Sequence, residues 1–237
     1  MKFLAAVVFA LFTSTASGTP VADLESESPQ LAGLLVRYTS YHEALLKYAR
    51  MQGFREPYEM WATVVHEVIH IDSAAHQGYF IEGIYYEPYV SPEHWPRLRN
   101  RDIAPLMRAE ERGLIHSVYM QSTPNNNLGN ILDEVNAYTH VLRFVCKHEP
   151  ASTRRQANNL IGHLNVVEAY LRIARISARS DYEALLHNRL SAGAVTTLTQ
   201  RAWSALLACG IPSAELATTE AADFTRAVES LNKPRLR

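Results

Sequence analysis

The sequence has little of what several common protein classes require. Only two of its 237 residues are cysteine, which is too few for a disulfide scaffold, and their spacing lacks the signature of a zinc site. Its 23 lysines and arginines are balanced by 24 aspartates and glutamates, so no excess of charge points to nucleic acid or an anionic membrane. The sequence contains no phosphate-binding glycine loop, nucleophile elbow or internal repeat. Function must therefore be sought in a local motif.

Long apolar runs are also scarce. The longest, Phe3 to Phe12, follows a basic N-terminus and precedes a stretch of small residues. This arrangement is typical of a secretory signal peptide, and the run is too short to cross a bilayer. We therefore expect a signal peptide over residues 1–18, a secreted or periplasmic protein, and no integral membrane segment afterwards. Export would place Cys146 and Cys209 in an oxidising compartment, where they either pair or remain two buried thiols.

The periodicity of apolar residues after the signal peptide predicts a mainly α protein. Residues 19–29, rich in serine and glutamate, are expected to form a loose N-terminal arm, and residues 30–230 a single helical domain. A small β-hairpin or extended segment is expected near 79–90, where aromatic and β-branched residues flank Glu82-Gly83.

The most informative stretch runs from Trp61 to Asp72 and contains His66-Glu67-Val-Ile-His70. On an α-helix, residues four apart lie only about 40° apart, so His66 and His70 project side by side like two ligands of one metal. Glu67 lies about 100° from His66, too far to be a third ligand but near enough to reach water at the metal. A His-Glu-x-x-His helix is the pattern of zinc hydrolases.

The other residues of this helix favour a buried active-site element. An apolar wall covers the side away from the histidines and must be packed against the protein: Trp61, Val64, Val65, Val68, Ile69 and Ile71. The histidine side carries small residues that leave room above a metal: Ala62, Thr63, Ser73 and Ala74.

A second helix, predicted from about Asn130 to Lys147, carries an unusual carboxylate. Glu134 lies in the middle of the apolar stripe of this helix, where a carboxylate is costly unless a cation meets it. A metal held by the two histidines would supply that cation. The opposite face is expected to be solvated and carries Asp133, Asn136, His140, Arg143 and Lys147.

Other titratable residues have simpler interpretations. Glu168 lies off the apolar stripe of its helix with Arg172 four residues on, which predicts a solvated ion pair. His42 and His163 lie on or beside the apolar stripes of their helices and are expected to be packed core histidines rather than ligands.

The motif at residues 66–70, followed by a helix that bears Glu134, resembles the zincin metallopeptidases, and among them the gluzincins, whose third ligand is a glutamate. The resemblance covers about residues 57–147. It implies a secreted zinc metallopeptidase with one Zn²⁺ per chain, held by His66, His70 and Glu134. It also implies that Glu67 is the general base toward a zinc-activated water that hydrolyses a peptide bond of a protein or peptide substrate.

The resemblance leaves two roles unassigned. Gluzincins often carry an aspartate four residues after the ligand glutamate as support for a histidine ligand, whereas this sequence has Tyr138 there, so another residue must orient His66 or His70. The donor that stabilises the oxyanion is equally open, and the candidates are Tyr85, Tyr86, His116, Tyr119 and Tyr138.

The third ligand and the class of protein are both open at this point. His76 is a possible third ligand, because His66-Glu67-x-x-His70-x-x-Ser73-x-x-His76 matches the metzincin pattern except for serine in place of glycine. We favour Glu134, because a helix that continues past Ser73 to a stop at Gly78 carries His76 away from the metal. Two further classes of protein fit the motif: a non-peptidase zinc hydrolase of the cell envelope, such as an amidase, and an inactive helical binding module.

Overall fold

The computed structural model describes residues 20–212 and 219–232, so the expected signal peptide over 1–18 lies outside the described residues. Most of the described chain is helical, which confirms the predicted mainly α class. The α-helices are α1 (Pro20–Glu27), α2 (Pro29–Arg37), α3 (His42–Met51), α4 (Pro57–His76), α5 (Asn100–Ile103), α6 (Leu128–His148), α7 (Pro150–Ser177), α8 (Arg179–His187), α9 (Arg189–Ala208) and α10 (Thr219–Asn232). Short 3₁₀ segments span Thr39–Tyr41, Pro92–His94, Ala104–Leu106 and Ala109–Glu111, and a π-helical segment spans Ile115–Met120.

The predicted hairpin is also present. Strands β1 (Tyr79–Ile81) and β2 (Ile84–Tyr86) pair antiparallel, with Ile81 opposite Ile84. The two turn residues, Glu82 and Gly83, have φ angles of 51° and 93°. Positive φ at both positions defines the two-residue turn whose twist matches that of paired strands, and glycine at the second position lowers its cost.

Helix α6 is the centre of the molecule, with α4 on one side and α7 and α9 on the others. Its apolar residues accordingly belong to two clusters: Val141 and Val145 pack with α2 and α4, while Val135 and Leu142 pack with α7 and α9. A helix covered on several sides has little solvated surface. Some residues of α6 that were expected to face water are therefore buried.

The prediction of a solvated face on α6 is wrong for three of its residues. Asp133, Asn136 and His140 are buried, whereas Arg143 and Lys147 are exposed. Asn136 Nδ2 and His140 Nε2 both lie within hydrogen-bond distance of the Phe80 carbonyl oxygen, at 3.0 and 3.1 Å. These polar side chains are stable in the interior because they bind a carbonyl of the hairpin.

The N-terminal segment also differs from the prediction, because residues 20–27 form helix α1 rather than a loose arm. Leu24 is 2% exposed and lies in the cluster formed with α2 and α4. The Tyr58 hydroxyl donates to Asp23 at 2.5 Å, and His148 pairs with Glu27 at 2.7 Å. One buried leucine, one hydrogen bond and one histidine–glutamate pair therefore hold α1 against the other helices.

Glu168 is another correction, since it is buried and does not pair with Arg172. Its two carboxylate oxygens accept hydrogen bonds from the backbone N–H groups of Glu220 and Ala221, at 2.7 and 3.0 Å. These are among the unpaired N–H groups at the start of α10, where a carboxylate is favourable. Arg172 instead pairs with Glu111 at 2.6 Å.

Two further features bear on the environment of the protein. Cys146 and Cys209 are joined in a disulfide, with their Cα atoms 5.7 Å apart, which links α6 to the residue after α9. Among the residues that the structure describes, no helix combines the length and apolar character needed to span a membrane.

Candidate metal centre

Three side chains converge where α4 packs against α6. The Nε2 atoms of His66 and His70 are 3.0 Å apart, and Glu134 Oε2 lies 3.3 Å from the first and 3.6 Å from the second. Within the described chain, these three residues form a group whose donor atoms all lie close enough to hold a metal ion. The group combines adjacent positions of α4 with the carboxylate that interrupts the apolar stripe of α6.

The donor set fits a zinc ion. Four tetrahedral ligands at about 2.0–2.1 Å from zinc lie about 3.3 Å from one another, and the three observed separations bracket that value. Two imidazoles and one carboxylate are also the ligands of catalytic zinc sites that leave the fourth position for water or substrate.

The carboxylate of Asp133 binds the ring nitrogen of His70 that is not part of the donor group. Asp133 Oδ2 lies 2.6 Å from His70 Nδ1, so this nitrogen carries a proton and Nε2 is the nitrogen left to bind a metal. The same carboxylate oxygen accepts a hydrogen bond from the Tyr89 hydroxyl at 2.7 Å. Tyr89 is buried, and its loop is held in place by the Trp95 indole, which donates to the Tyr89 carbonyl at 2.7 Å.

The charges of the group favour a bound cation. Burial opposes the charged form of His70, but the carboxylates of Asp133 and Glu134 outweigh it and raise the pKa of His70 well above its usual range. Burial likewise opposes the Glu134 anion, yet hydrogen bonds to His66 and His70 hold the pKa of Glu134 well below its usual range. Without a metal, a proton on His70 would therefore compensate the buried carboxylates.

His66 is positioned by packing. Its Nδ1 atom is buried without a hydrogen-bond partner in the described structure, and its ring lies 4.4 Å from the Tyr138 ring. Tyr138 is in turn stacked on His163, at 5.2 Å between ring centroids. The tyrosine that replaces the expected aspartate thus packs against His66, while Asp133 binds His70.

Glu67 and His66 both line a cavity of about 200 Å³ where α3, α4, α6 and α7 meet. Tyr138 also lines this cavity. Burial, together with the charges of Glu134 and Glu67, raises the pKa of Tyr138, so its hydroxyl is protonated and available as a donor. A larger cavity of about 480 Å³ lies among α8, α9 and α10, and none of these residues lines it.

The remaining candidates from the sequence lie elsewhere. Helix α4 continues through Ser73 to His76, whose Nδ1 lies 3.0 Å from the Asp72 carbonyl oxygen, so His76 is outside the donor group. The Tyr85 hydroxyl donates to Asp72 at 2.6 Å, and His116 Nε2 lies 3.1 Å from the Ala104 carbonyl oxygen.

Of the two histidines predicted to be packed core residues, His163 is fully buried and His42 only partly buried. His163 is 1% exposed, with its Nδ1 2.9 Å from the Asn159 carbonyl oxygen. His42 is half-buried and packs edge-on against Trp61, with 5.1 Å between ring centroids.

Asp133 and Tyr89 are the site residues that sequence reasoning missed. Asp133 was placed on a solvated face because helical periodicity considers one helix at a time, whereas the binding partner of Asp133 lies on α4. One signal was present: a histidine ligand needs an acceptor for its second nitrogen. Asp133 adjoins the proposed ligand Glu134 in sequence and is a natural candidate for that acceptor.

Comparison of the chain with known protein families, with curated proteins and with solved structures gives no significant match. The chemistry of this centre must therefore be argued from its own residues.

Proposed function

We propose that the protein is a zinc-dependent hydrolase that cleaves peptide bonds, with His66, His70 and Glu134 as the metal ligands. The observation that carries the proposal is the convergence of these three donors beside a cavity that Glu67 also lines. A purely structural metal site has no need of an additional carboxylate at that position, whereas a hydrolase needs a base there.

The metal would be held by the lone pairs of two neutral imidazoles and by the Glu134 carboxylate. When bound, zinc would act as a Lewis acid toward a carbonyl oxygen and toward water. The same donors also suit ferrous iron, so elemental analysis must identify the ion. One zinc per chain is the expected result.

Glu67 would transfer the proton in this reaction. Its carboxylate accepts a proton from a water molecule as the water oxygen forms a bond to the substrate carbonyl carbon. When the carbon–nitrogen bond breaks, the same carboxyl group returns the proton to the departing amine. Glu67 is half-buried at the cavity wall, where it can reach both water and substrate.

Tyr138 is better placed than Tyr85 or His116 to act as the donor for the oxyanion. It shares the cavity with Glu67 and packs on His66, whereas the Tyr85 hydroxyl is occupied by Asp72 and His116 lies against the Ala104 carbonyl oxygen. Because its pKa is raised, Tyr138 would donate a hydrogen bond as negative charge develops on the substrate oxygen.

We also propose that the protein is exported and works in an oxidising compartment. The signal-like residues 1–18 motivate this, and the Cys146–Cys209 disulfide is consistent with it. The mass of the protein recovered from its native compartment tests the proposal: removal of residues 1–18 is expected, and an intact N-terminus in the cytosol would contradict it.

The decisive experiment compares Glu67→Gln with Glu43→Gln, an exposed glutamate on α3 that serves as the matched control. Metal content is measured without a histidine tag, and cleavage is measured with a fluorogenic peptide library. Glu67→Gln should retain zinc and lose at least about a hundredfold in rate, because it removes the base but no ligand. Glu43→Gln should match the parent protein. Absence of a stoichiometric metal, or full activity of Glu67→Gln, would overturn the proposal.

A further inference from the structure

The cavity beside His66 and Glu67 has the size of a single side chain. Its volume of about 200 Å³ is below the roughly 300–1,000 Å³ of pockets that enclose a whole small-molecule ligand. Because the cavity wall includes both a proposed ligand and the proposed base, a group that enters it belongs to a substrate residue next to the cleaved bond.

Three side-chain amides line this cavity. They belong to Gln52, which follows α3, and to Gln156 and Asn159 on α7. Residues 156 and 159 are three apart, so they occupy the same face of α7. The remaining lining consists of aromatic and small residues, namely Tyr48, Phe54, Ala62, Thr63, Tyr138 and Val141.

Glu67 is the one acidic residue among the lining residues, and His66 is the one histidine. No lysine or arginine is among the lining residues, and Arg155, which lies over the Phe54 ring, is paired with Glu59. An acidic substrate side chain would therefore meet the Glu67 carboxylate without a lysine or arginine in the cavity wall to compensate it. A basic side chain would pair with Glu67 and hinder its transfer of a proton.

Apolar side chains are also a poor match. Side-chain amides that lose water must find new hydrogen-bond partners, and an apolar group leaves them unpaired. A carboxamide offers both donors and acceptors, and it can pair with the amides of Gln156 and Asn159 in either orientation.

We propose that this cavity is a specificity subsite for an uncharged side chain with a carboxamide group, of which glutamine is the best match. The proposal rests on the proposed function, since it assigns the substrate residue beside the bond that the metal centre would cleave.

The test uses three hydroxamates, which bind zinc directly and differ only in a side chain of nearly equal size: that of glutamine, glutamate or leucine. Their affinities for the zinc-loaded protein are measured by titration calorimetry. We expect the glutamine analogue to bind at least about tenfold more tightly than either of the others, because only it satisfies the amides without adding charge.

Two variants and a control locate the effect. Gln156→Leu should bring the affinities of the glutamine and leucine analogues to within about threefold of each other. Gln52→Leu alters an exposed residue at the cavity and should shift the ratio in the same direction, without the risk to folding that a change at buried Gln156 carries. Asn158→Leu, an exposed amide on α7 that does not line the cavity, should leave the ratio unchanged.

The possible outcomes separate the two proposals. Equal binding of the analogues, or preference for leucine or glutamate, by a protein that holds zinc would overturn the subsite and leave the proposed hydrolase intact. A protein that takes up no zinc would overturn the hydrolase and the subsite with it. A preference for glutamine that survives both Gln156→Leu and Gln52→Leu would show that the specificity does not reside in this cavity.

Discussion

Helix α4 contributes histidines to two histidine–carboxylate groups, which differ in the origin of the compensating positive charge. Near its C-terminal end, Asp72 is completely buried, and we refer to this residue and its partners as the Asp72 cluster. Arg37 Nη1 donates to Asp72 Oδ1 at 2.8 Å, and the Tyr85 hydroxyl donates to Oδ2 at 2.6 Å. His76 stacks on Tyr85, with ring centroids 4.1 Å apart. Here the protein itself supplies the cation, so the carboxylate needs no metal.

The donor group formed by His66 and His70, earlier on the same helix, and by Glu134 on α6 is different. The two ion pairs that Glu134 forms in the described part of the chain are both with histidines, which are cations only when protonated. The comparison shows that a buried carboxylate near a histidine is not sufficient evidence of a metal site. What distinguishes Glu134 from Asp72 is that no arginine neutralises it within the described residues, while two imidazole nitrogens face it.

The largest expected effect tests this distinction directly. Glu134→Ala should lower zinc affinity by at least about a hundredfold and abolish hydrolysis, because it removes a ligand, and even the loss of a residue that only supports a ligand costs about 10–100-fold. His76→Ala should keep both zinc and activity, since this residue belongs to the Asp72 cluster. Elemental analysis and peptide cleavage measure the two outcomes. Loss of zinc in His76→Ala, with zinc retained in Glu134→Ala, would assign the third ligand to His76.

The next effect concerns Asp133. Asp133→Asn should weaken zinc binding by about 10–100-fold, because the amide is a weaker acceptor for His70 Nδ1 and no longer favours the correct tautomer. Tyr89→Phe removes only one of the two donors to that carboxylate and should have a smaller effect, about threefold or less. Competition with a chromogenic chelator measures both affinities. If Asp133→Asn bound zinc as tightly as the parent protein, Asp133 would have no role in orienting His70.

The sequence allowed prediction of features that depend on a single helix. The mainly α class, the hairpin at Glu82-Gly83 and the side-by-side projection of His66 and His70 follow from local periodicity and turn chemistry. The position of Glu134 was also predictable, because a carboxylate within an apolar stripe signals an unusual partner. The family resemblance stays a hypothesis, since no known family, curated protein or solved structure matches.

Features that depend on which helices become neighbours were not predictable in this way. Asp133 and His140 appear solvated when α6 is considered alone, but α4 and the hairpin cover them. Glu168 was assigned to Arg172, four residues on, whereas its partners are N–H groups of α10, 52 and 53 residues later. In each case a long-range hydrogen bond makes the burial of a polar group favourable, and periodicity contains no information about that partner.

His140 lies in a different kind of environment from His70 and His76, because the charged neighbour with the largest effect on it is a cation, Arg201, and not a carboxylate. Burial, aided by the charge of Arg201, lowers the pKa of His140 to about 4. The unfolded chain, with a histidine pKa near about 6.5, therefore binds more protons than the folded chain between about pH 4 and 6.5. This contribution to stability is present above about pH 6.5 and is lost as the pH falls toward about 4. Between pH 7 and 5 the loss should be about 2 kcal/mol.

Urea unfolding of the parent protein and of His140→Gln at both pH values measures this difference. The glutamine variant can still donate to the Phe80 carbonyl oxygen but does not titrate, so its stability should fall less than that of the parent protein by about that amount. An equal loss in both proteins would mean that His140 is not held in its neutral form.

The smallest expected effect is that of Tyr85→Phe, which perturbs the Asp72 cluster without removing its cation. The Asp72 carboxylate loses one donor but keeps Arg37, whose guanidinium lies on the same carboxylate and is half exposed to water. Stability should therefore fall by only about 1 kcal/mol in urea unfolding. Zinc content and hydrolysis should be unchanged, although Tyr85 was a candidate oxyanion donor on sequence grounds, because its hydroxyl is bound to Asp72. A loss of hydrolysis with normal stability would mean that Tyr85 reaches the substrate. A loss of zinc would mean that the Asp72 cluster is coupled to the donor group of His66, His70 and Glu134. The distinction between a carboxylate neutralised by arginine and one that requires a metal would then no longer hold.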